Sequence, residues 1–237
     1  MLQQVKKLLS SRKERENTGL FVADGTKLLQ EAVRWWPGLQ TVILSDGVEA
    51  RIPEGVRVVQ VPESVMESIS PMRTPQGALF VCKLPDKTEF TAKPGMLLLD
   101  GIQDPGNVGT ILRTADALEI PVALLEGCAD PYSHKVVRAS MGAVFRTPVV
   151  QTTWQQARAC FAEAKIPVAV TALSDRAQDL RQAPLKQMAV VIGSEGQGVR
   201  QEILGNAQAE LIIPMNAHCE SLNAAIAAAI CMWQMKL

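Results

Sequence analysis

The run Met96 to Leu99 is continuously apolar, and further strand candidates are Val122 to Leu125, Val149-Val150, Val168 to Thr171, Ala189 to Ile192 and Glu210 to Ile213. A strand without polar alternation is buried on both faces, as in a parallel sheet covered by helices. Helices are expected at Val108 to Leu118, Tyr132 to Ala143, Trp154 to Ala164, Val199 to Leu204 and Leu222 to Met235. Strands alternating with helices predict an α/β domain built on a mainly parallel sheet.

The residues before this region read as a smaller α/β unit. Phe21-Val22-Ala23, Thr41 to Leu44, Val56 to Val61 and Ala78 to Cys82 suit strands. Thr26 to Trp35 places Leu28, Leu29, Ala32 and Val33 on one helical face, and Glu63 to Ile69 is a second helix. The polar, proline-bounded stretch from Pro85 to Pro94 reads as a linker. The expected organisation is a first domain over 1–84, a linker over 85–94 and a second domain over 95–237.

Charge and cysteine usage narrow the classes. The formal net charge is zero, so a nucleic-acid partner must be met by a local basic surface. Lys6, Lys7, Arg12, Lys13 and Arg15 near the start offer one, although such a run is most often a solvated helix face. Cys82, Cys128, Cys160, Cys219 and Cys231 are odd in number and scattered without a CxxC pair. That disfavours a disulfide framework and a zinc site, and leads us to expect a cytoplasmic protein. The longest apolar run, Ala224 to Trp233, is about half the roughly 20 residues a membrane span needs, so no membrane association is expected.

Ligands of open parallel sheets bind at loops after the carboxyl ends of strands. Three such loops carry unusual chemistry. The first runs from Asp100 to Thr110 and leads to Arg113; Asn107 could cap the helix, and Gly101, Gly106 and Gly109 permit tight backbone paths. Arg113 offers a donor fork for phosphate or developing oxyanion charge. The second, Gly193-Ser194-Glu195-Gly196-Gln197-Gly198, follows an apolar strand but is neither a dinucleotide fingerprint nor a P-loop. The third runs from Ile213-Pro214-Met215 to Ser221-Leu222-Asn223, where Glu220 or Ser221 could cap an alanine-rich helix. Each loop alone is compatible with an ordinary turn.

In their order and spacing the three loops resemble the signature motifs of the SpoU (TrmH) family of RNA 2′-O-ribose methyltransferases, within the SPOUT superfamily. Asn107-x-Gly109-xxx-Arg113 is similar to the first motif and Gly193-x-Glu195-xx-Gly198 to the second. Ile213-Pro214-Met215 with Ser221-Leu222-Asn223 is similar to the third. The stretch Asp130-Pro131-Tyr132 to Phe145-Arg146 resembles the segment between the first two. Arg12-Lys13-x-Arg15, Gly19-x-Phe21, Asp24-Gly25 and Thr74-Pro75-Gln76-Gly77 resemble the family's small substrate-binding domain, related in fold to ribosomal RNA-binding proteins.

The resemblance implies a deep trefoil knot in the second domain, S-adenosylmethionine as cofactor, no metal, and a homodimer with the active site at its interface. It implies methyl transfer to a ribose 2′-hydroxyl in structured RNA, ribosomal ahead of transfer RNA. Arg113, Asn107 and Glu195 would be catalytic. Gly193, Ile213, Met215, Ser221, Leu222 and Asn223 would hold the cofactor, and Arg12, Lys13 and Arg15 would contact RNA. Ala217 stands where the family commonly has glycine, Ala225 where a serine often follows, and Asp24 where glutamate is usual. The alternatives are an RNA-binding protein that keeps the fold without catalysis, and a dinucleotide-dependent enzyme, whose fingerprint is missing. His134 and His218 read as structural.

Overall fold

The structure, a computed structural model, describes every residue except Met1, Lys87, Pro148, Glu195, Ala217 and Glu220. The basic opening forms two helices. In α1 (Leu2–Ser10) Val5 and Leu8 turn inward while Lys6 and Lys7 stay exposed. Ser11 caps α2 (Arg12–Thr18) by accepting the Glu14 N–H, and Gly19, at φ 67°, ends it in the left-handed conformation. Strand β1 (Leu20–Asp24), helix α3 (Thr26–Trp35), strands β2 (Leu39–Ser45) and β3 (Arg57–Val61), helix α4 (Glu63–Ile69) and strand β4 (Ala78–Lys83) follow. The four strands lie in the order β1-β4-β2-β3, with β4 antiparallel to both neighbours and β2 parallel to β3. Val22, Ile43 and Leu79 form a core with Val5, Leu8, Met66 and Ile69.

Beyond the proline-bounded stretch come β5 (Leu97–Asp100), α5 (Pro105–Leu118) and β6 (Val122–Leu124). The helix expected over Tyr132 to Ala143 is instead two short ones, α6 (His134–Ala139) and α7 (Ala143–Arg146). Met141 (φ 50°) and Gly142 (φ 86°) take left-handed backbone between them, which a right-handed helix cannot continue. Then follow β7 (Val150–Gln151), α8 (Trp154–Ala164), β8 (Val168–Thr171), β9 (Gln178–Asp179), β10 (Ala189–Gly193), α9 (Gln201–Leu204), β11 (Ala209–Ile212) and α10 (Ala224–Lys236). The seven-stranded sheet runs β7-β6-β5-β10-β8-β11-β9, all parallel. Leu97, Leu98 and Leu99 are fully buried in it, as an uninterrupted apolar strand requires.

The chain divides into two compact units, and neither is continuous in sequence. One comprises Met1–Asp86 with Asp130–Pro148; the other comprises Lys87–Ala129 with Val149–Leu237. The segment 130–148, expected inside the second domain, therefore packs with the first unit. Within that unit Asp130 pairs with Arg15, Arg146 with Glu31, and Phe145 lies against Phe21, Trp36 and Phe80. The stretch read as a linker is also less free than expected. Phe90 meets the Phe161 ring edge-on at 5.5 Å, and its carbonyl accepts the Cys160 thiol.

All five cysteines are unpaired. Burial pushes the Cys128 thiol up to about 11 and the Cys231 thiol up to about 12, and raises Cys82 further still. Cys219 is exposed and Cys160 half-buried. Because the thiolate is the reactive form, maleimide labelling of the folded protein should modify Cys219 first. Cys82, Cys128 and Cys231 should react only after unfolding, a pattern that peptide mass mapping reads directly.

Candidate active site

A cavity of about 570 Å³ opens at the carboxyl ends of β10, β8 and β11. One wall is the glycine loop after β10. Ser194 and Gly198 exchange backbone hydrogen bonds of 3.1 and 2.9 Å, and the Gln197 N–H donates to Ser194 Oγ. Gly198 adopts φ 66°, and Gly193 has the returning chain directly over its α-carbon. Ser194, Gly196, Gln197, Gly198 and Val199 of this loop line the cavity. The opposite wall is Ile212, Ile213, Met215, Ser221 and Leu222, with Ala224 and Ala227 of α10. A third wall, Thr171 to Ser174 after β8, was not anticipated from sequence. Its only signal there was its place after an apolar strand. Glu210, also lining the cavity, accepts from Ser174 Oγ and pairs with Arg176 at 2.7 Å.

Beside this cavity the first and third motifs meet. Asn223 Nδ2 donates to Asn107 Oδ1 at 2.9 Å. Neither helix is capped by the residue that spacing suggested. Asp104, not Asn107, is the N-cap of α5; its Oδ1 accepts the Asn107 N–H at 2.7 Å, and Pro105 follows at the first helical position. Asn107 lies inside the first turn, so its side chain is available to reach across to the other motif. The N-cap of α10 is Asn223, not Ser221 or Glu220, and its Oδ1 accepts from Ala225 and Ile226. Ala225 is buried in that first turn. Of the three glycines in the first loop, Gly101 takes the left-handed path (φ 65°), while Gly106 and Gly109 belong to α5.

Gly193, Ile213, Met215, Ser221 and Leu222 therefore line one cavity, and Asn223 stands where α10 leaves it. Arg113 is not part of the cavity wall among the described residues. It is exposed on α5, with its guanidinium free of ion pairs and side-chain hydrogen bonds among them. Glu195, expected to be catalytic, lies outside the described residues, as do Ala217 and Glu220. In the first unit Arg12 is exposed and paired with Glu16, and Lys13 is exposed. Arg15 corrects the expectation of RNA contact. It is 5% exposed, salt-bridged to Asp130 at 2.7 Å, and donates to the Leu8 carbonyl. A guanidinium committed to those partners is a structural tie and presents nothing to a phosphate.

The sequence pattern of the SpoU rRNA Methylase family matches residues 94–233, and that of the MRM3-like substrate binding domain matches residues 2–79. The chain is 34% identical to the 23S rRNA (guanosine(2553)-2′-O)-methyltransferase RlmP of Bacillus subtilis, over 97% of this chain and 94% of that protein. Its fold superposes on a TrmH-family protein of Porphyromonas gingivalis with a TM-score of 0.86 and 36% identity, covering 99% of this chain and 96% of that one. It superposes likewise on the AdoMet-bound rRNA methyltransferase of Sinorhizobium meliloti, with a TM-score of 0.84 and 27% identity over 99% and 93% of the two chains. With the motif order, the cavity and the parallel sheet in agreement, the chain belongs to the SpoU rRNA methylase family.

Proposed function

We propose that this protein transfers the methyl group of S-adenosylmethionine to a ribose 2′-hydroxyl of ribosomal RNA. The observation that carries this reading is the convergence of the second and third motifs on one cavity, tied by the Asn107–Asn223 bond to the helix bearing Arg113. The cavity suits the cofactor. Its volume falls within the roughly 300–1,000 Å³ of small-molecule sites. Ile192, Ile212 and Leu222 offer apolar surface to a purine, and the backbone of the glycine loop offers donors and acceptors at close range. The relative from Bacillus subtilis is named for a 2′-O-methylation of 23S rRNA, which supports ribosomal RNA as the substrate class.

When bound, the cofactor supplies an activated methyl on its sulfonium. The protein's task is to align the 2′-oxygen with it and stabilise charge on that oxygen. A guanidinium stays protonated. Arg113 accordingly positions the adjacent phosphate and stabilises the developing oxyanion, and the 2′-hydroxyl proton passes to an acceptor other than this guanidinium. Asn107 holds the start of its helix against the third motif. The exposed Arg12 and Lys13 hold RNA phosphates, with Lys6 and Lys7 beside them in sequence. The unpaired cysteines favour the cytoplasm.

The same reading includes a homodimer and a threaded carboxyl end. In support of threading, α10 packs against α5, β10 and the turns Leu180–Gln182 and Leu185–Gln187. In support of a dimer, Ile226, Ile230, Trp233 and Leu237 are exposed at successive spacings of four, three and four along α10 and its end. That is one uncovered apolar stripe, the kind of surface that marks an interface. Trp233→Glu combined with Ile226→Glu should convert the protein to a monomer by light scattering and sharply reduce methyl transfer. A double variant that stays dimeric removes α10 from the interface.

Methylation itself is tested by incubating the protein with S-adenosylmethionine and ribosomal RNA from cells lacking the gene, then mapping ribose methylation. A new 2′-O-methyl nucleotide is expected. A methyl group found on a base overturns the reaction type.

A further inference from the structure

The glycine loop is closed at both ends on a single residue that none of the three motifs includes in its pattern. Where the loop leaves β10, Gly193 is the register partner of Asp100 in the neighbouring strand β5. Where it returns, the Arg200 backbone N–H donates to Asp100 Oδ2 at 2.8 Å and Arg200 Nε donates to Asp100 Oδ1 at 2.6 Å. Both carboxylate oxygens are engaged, and Asp100 is 1% exposed. The guanidinium also reaches outward. Arg200 Nη2 donates to Glu126 Oε2 at 2.9 Å, and the same oxygen accepts the Trp154 N–H at the start of α8. Asp100 is followed by the left-handed Gly101 and the turn to Asp104, the cap of the Arg113 helix. One buried carboxylate thus joins the wall of the cavity to the strand that feeds the catalytic helix.

We infer that Asp100 and Arg200 form a positioning clamp that sets the glycine loop in its cofactor-binding shape before the cofactor arrives. The inference rests on reading the cavity as the S-adenosylmethionine site. A two-point, charge-assisted attachment leaves the loop end little freedom. A loop released at one end must be ordered again on each binding event, and that cost appears in affinity. Once the site is filled the loop is ordered by its ligand, so turnover at saturation is largely spared. Simple loss of folded protein has the opposite signature, a lower apparent kcat at unchanged affinity. The two measurements together therefore separate positioning from mere stability.

The experiment titrates S-adenosylmethionine into the full-length protein by calorimetry and measures kcat and KM for the cofactor on ribosomal RNA. Asp100→Asn removes the charge while keeping the shape, and leaves Arg200 partly exposed to water rather than buried alone. It should weaken binding about tenfold, with kcat at saturating cofactor within about threefold of wild type. Arg200→Ala should show the same split, and Arg200→Lys, which keeps the charge without the fork, should lie between. Glu126→Gln, at the exposed outer end, should change affinity little. If Arg200→Ala does not fold, the isosteric Asp100→Asn decides. A folded Asp100→Asn protein with wild-type affinity, or with reduced kcat at unchanged affinity, overturns the clamp. Wild-type protein that takes up no S-adenosylmethionine overturns the cofactor reading itself, and the clamp with it.

Discussion

Replacing Arg113 by alanine is expected to slow methyl transfer to ribosomal RNA by roughly 100- to 1,000-fold, the usual cost of removing a donor aimed at developing negative charge. Affinity for S-adenosylmethionine and thermal stability should stay at wild-type values. The separation follows from where Arg113 stands. It is exposed on α5, outside the cavity wall, and its side chain engages no partner among the described residues whose loss would disturb the fold. The proposed role directs this exposed guanidinium at RNA, whose phosphates and developing 2′-oxyanion match its charge. Arg113→Lys retains the charge but not the planar fork, so it should recover only a small part of the rate. Single-turnover transfer from labelled cofactor, with calorimetry on the same preparation, measures both quantities. Undiminished transfer by the alanine variant would remove Arg113 from the mechanism, and lost cofactor binding would move it into the cavity.

The parallel sheet was readable because burial on both faces leaves a mark in the sequence itself. Leu97 to Leu99 and Ala189 to Ile192 have no polar alternation, and both are buried central strands. Helices α3, α4 and α8 likewise occupy the residues expected from their apolar faces and flanks. The short helices fared worse for a physical reason. Val136, Val137, Ala143 and Val144 are all buried, so periodicity carries across the break at Met141 and Gly142. At the break Gly142 takes φ 86°, and a β-carbon there would lie 2.9 Å from Cγ of Glu31, a residue distant in sequence. The capping residues were displaced because Asp104 and Asn107, three residues apart, and Ser221 and Asn223, two apart, are comparably good capping candidates. Arg15 was misread for a related reason. Its charge is visible in sequence, whereas Asp130, the partner that buries it, is 115 residues away. Five residues named through the family resemblance, Gly193, Ile213, Met215, Ser221 and Leu222, do lie in the wall of one cavity. The resemblance could not supply the wall after β8, nor the attachment of Arg200 to Asp100, since both depend on strand order in the sheet.

That strand order also sets the second large effect, at Gly193. A β-carbon there would lie 2.1 Å from the Gly198 carbonyl carbon, 2.2 Å from the Val199 nitrogen and 2.3 Å from the Gly198 oxygen. These are backbone atoms of the chain returning over β10, so no side-chain rotation relieves the clash. Gly193 is pinned from below by its pairing with Asp100, and the loop must therefore move as a whole. Moving it breaks the reciprocal Ser194–Gly198 bonds that shape the cavity wall. Gly193→Ala should accordingly abolish detectable binding of S-adenosylmethionine and destabilise the protein by about 1–3 kcal/mol, as overpacking does. Two neighbouring glycines grade the cause. Gly196 has open space around the position of a β-carbon, so Gly196→Ala should leave the melting temperature unchanged. Gly198 also has open space but sits at φ 66°, so Gly198→Ala carries only the left-handed cost of roughly 1–2 kcal/mol. If the order of stability loss is not Gly193 above Gly198 above Gly196, close backbone approach is not what holds this loop. If Gly193→Ala still binds the cofactor as wild type does, the loop is not the wall of its site.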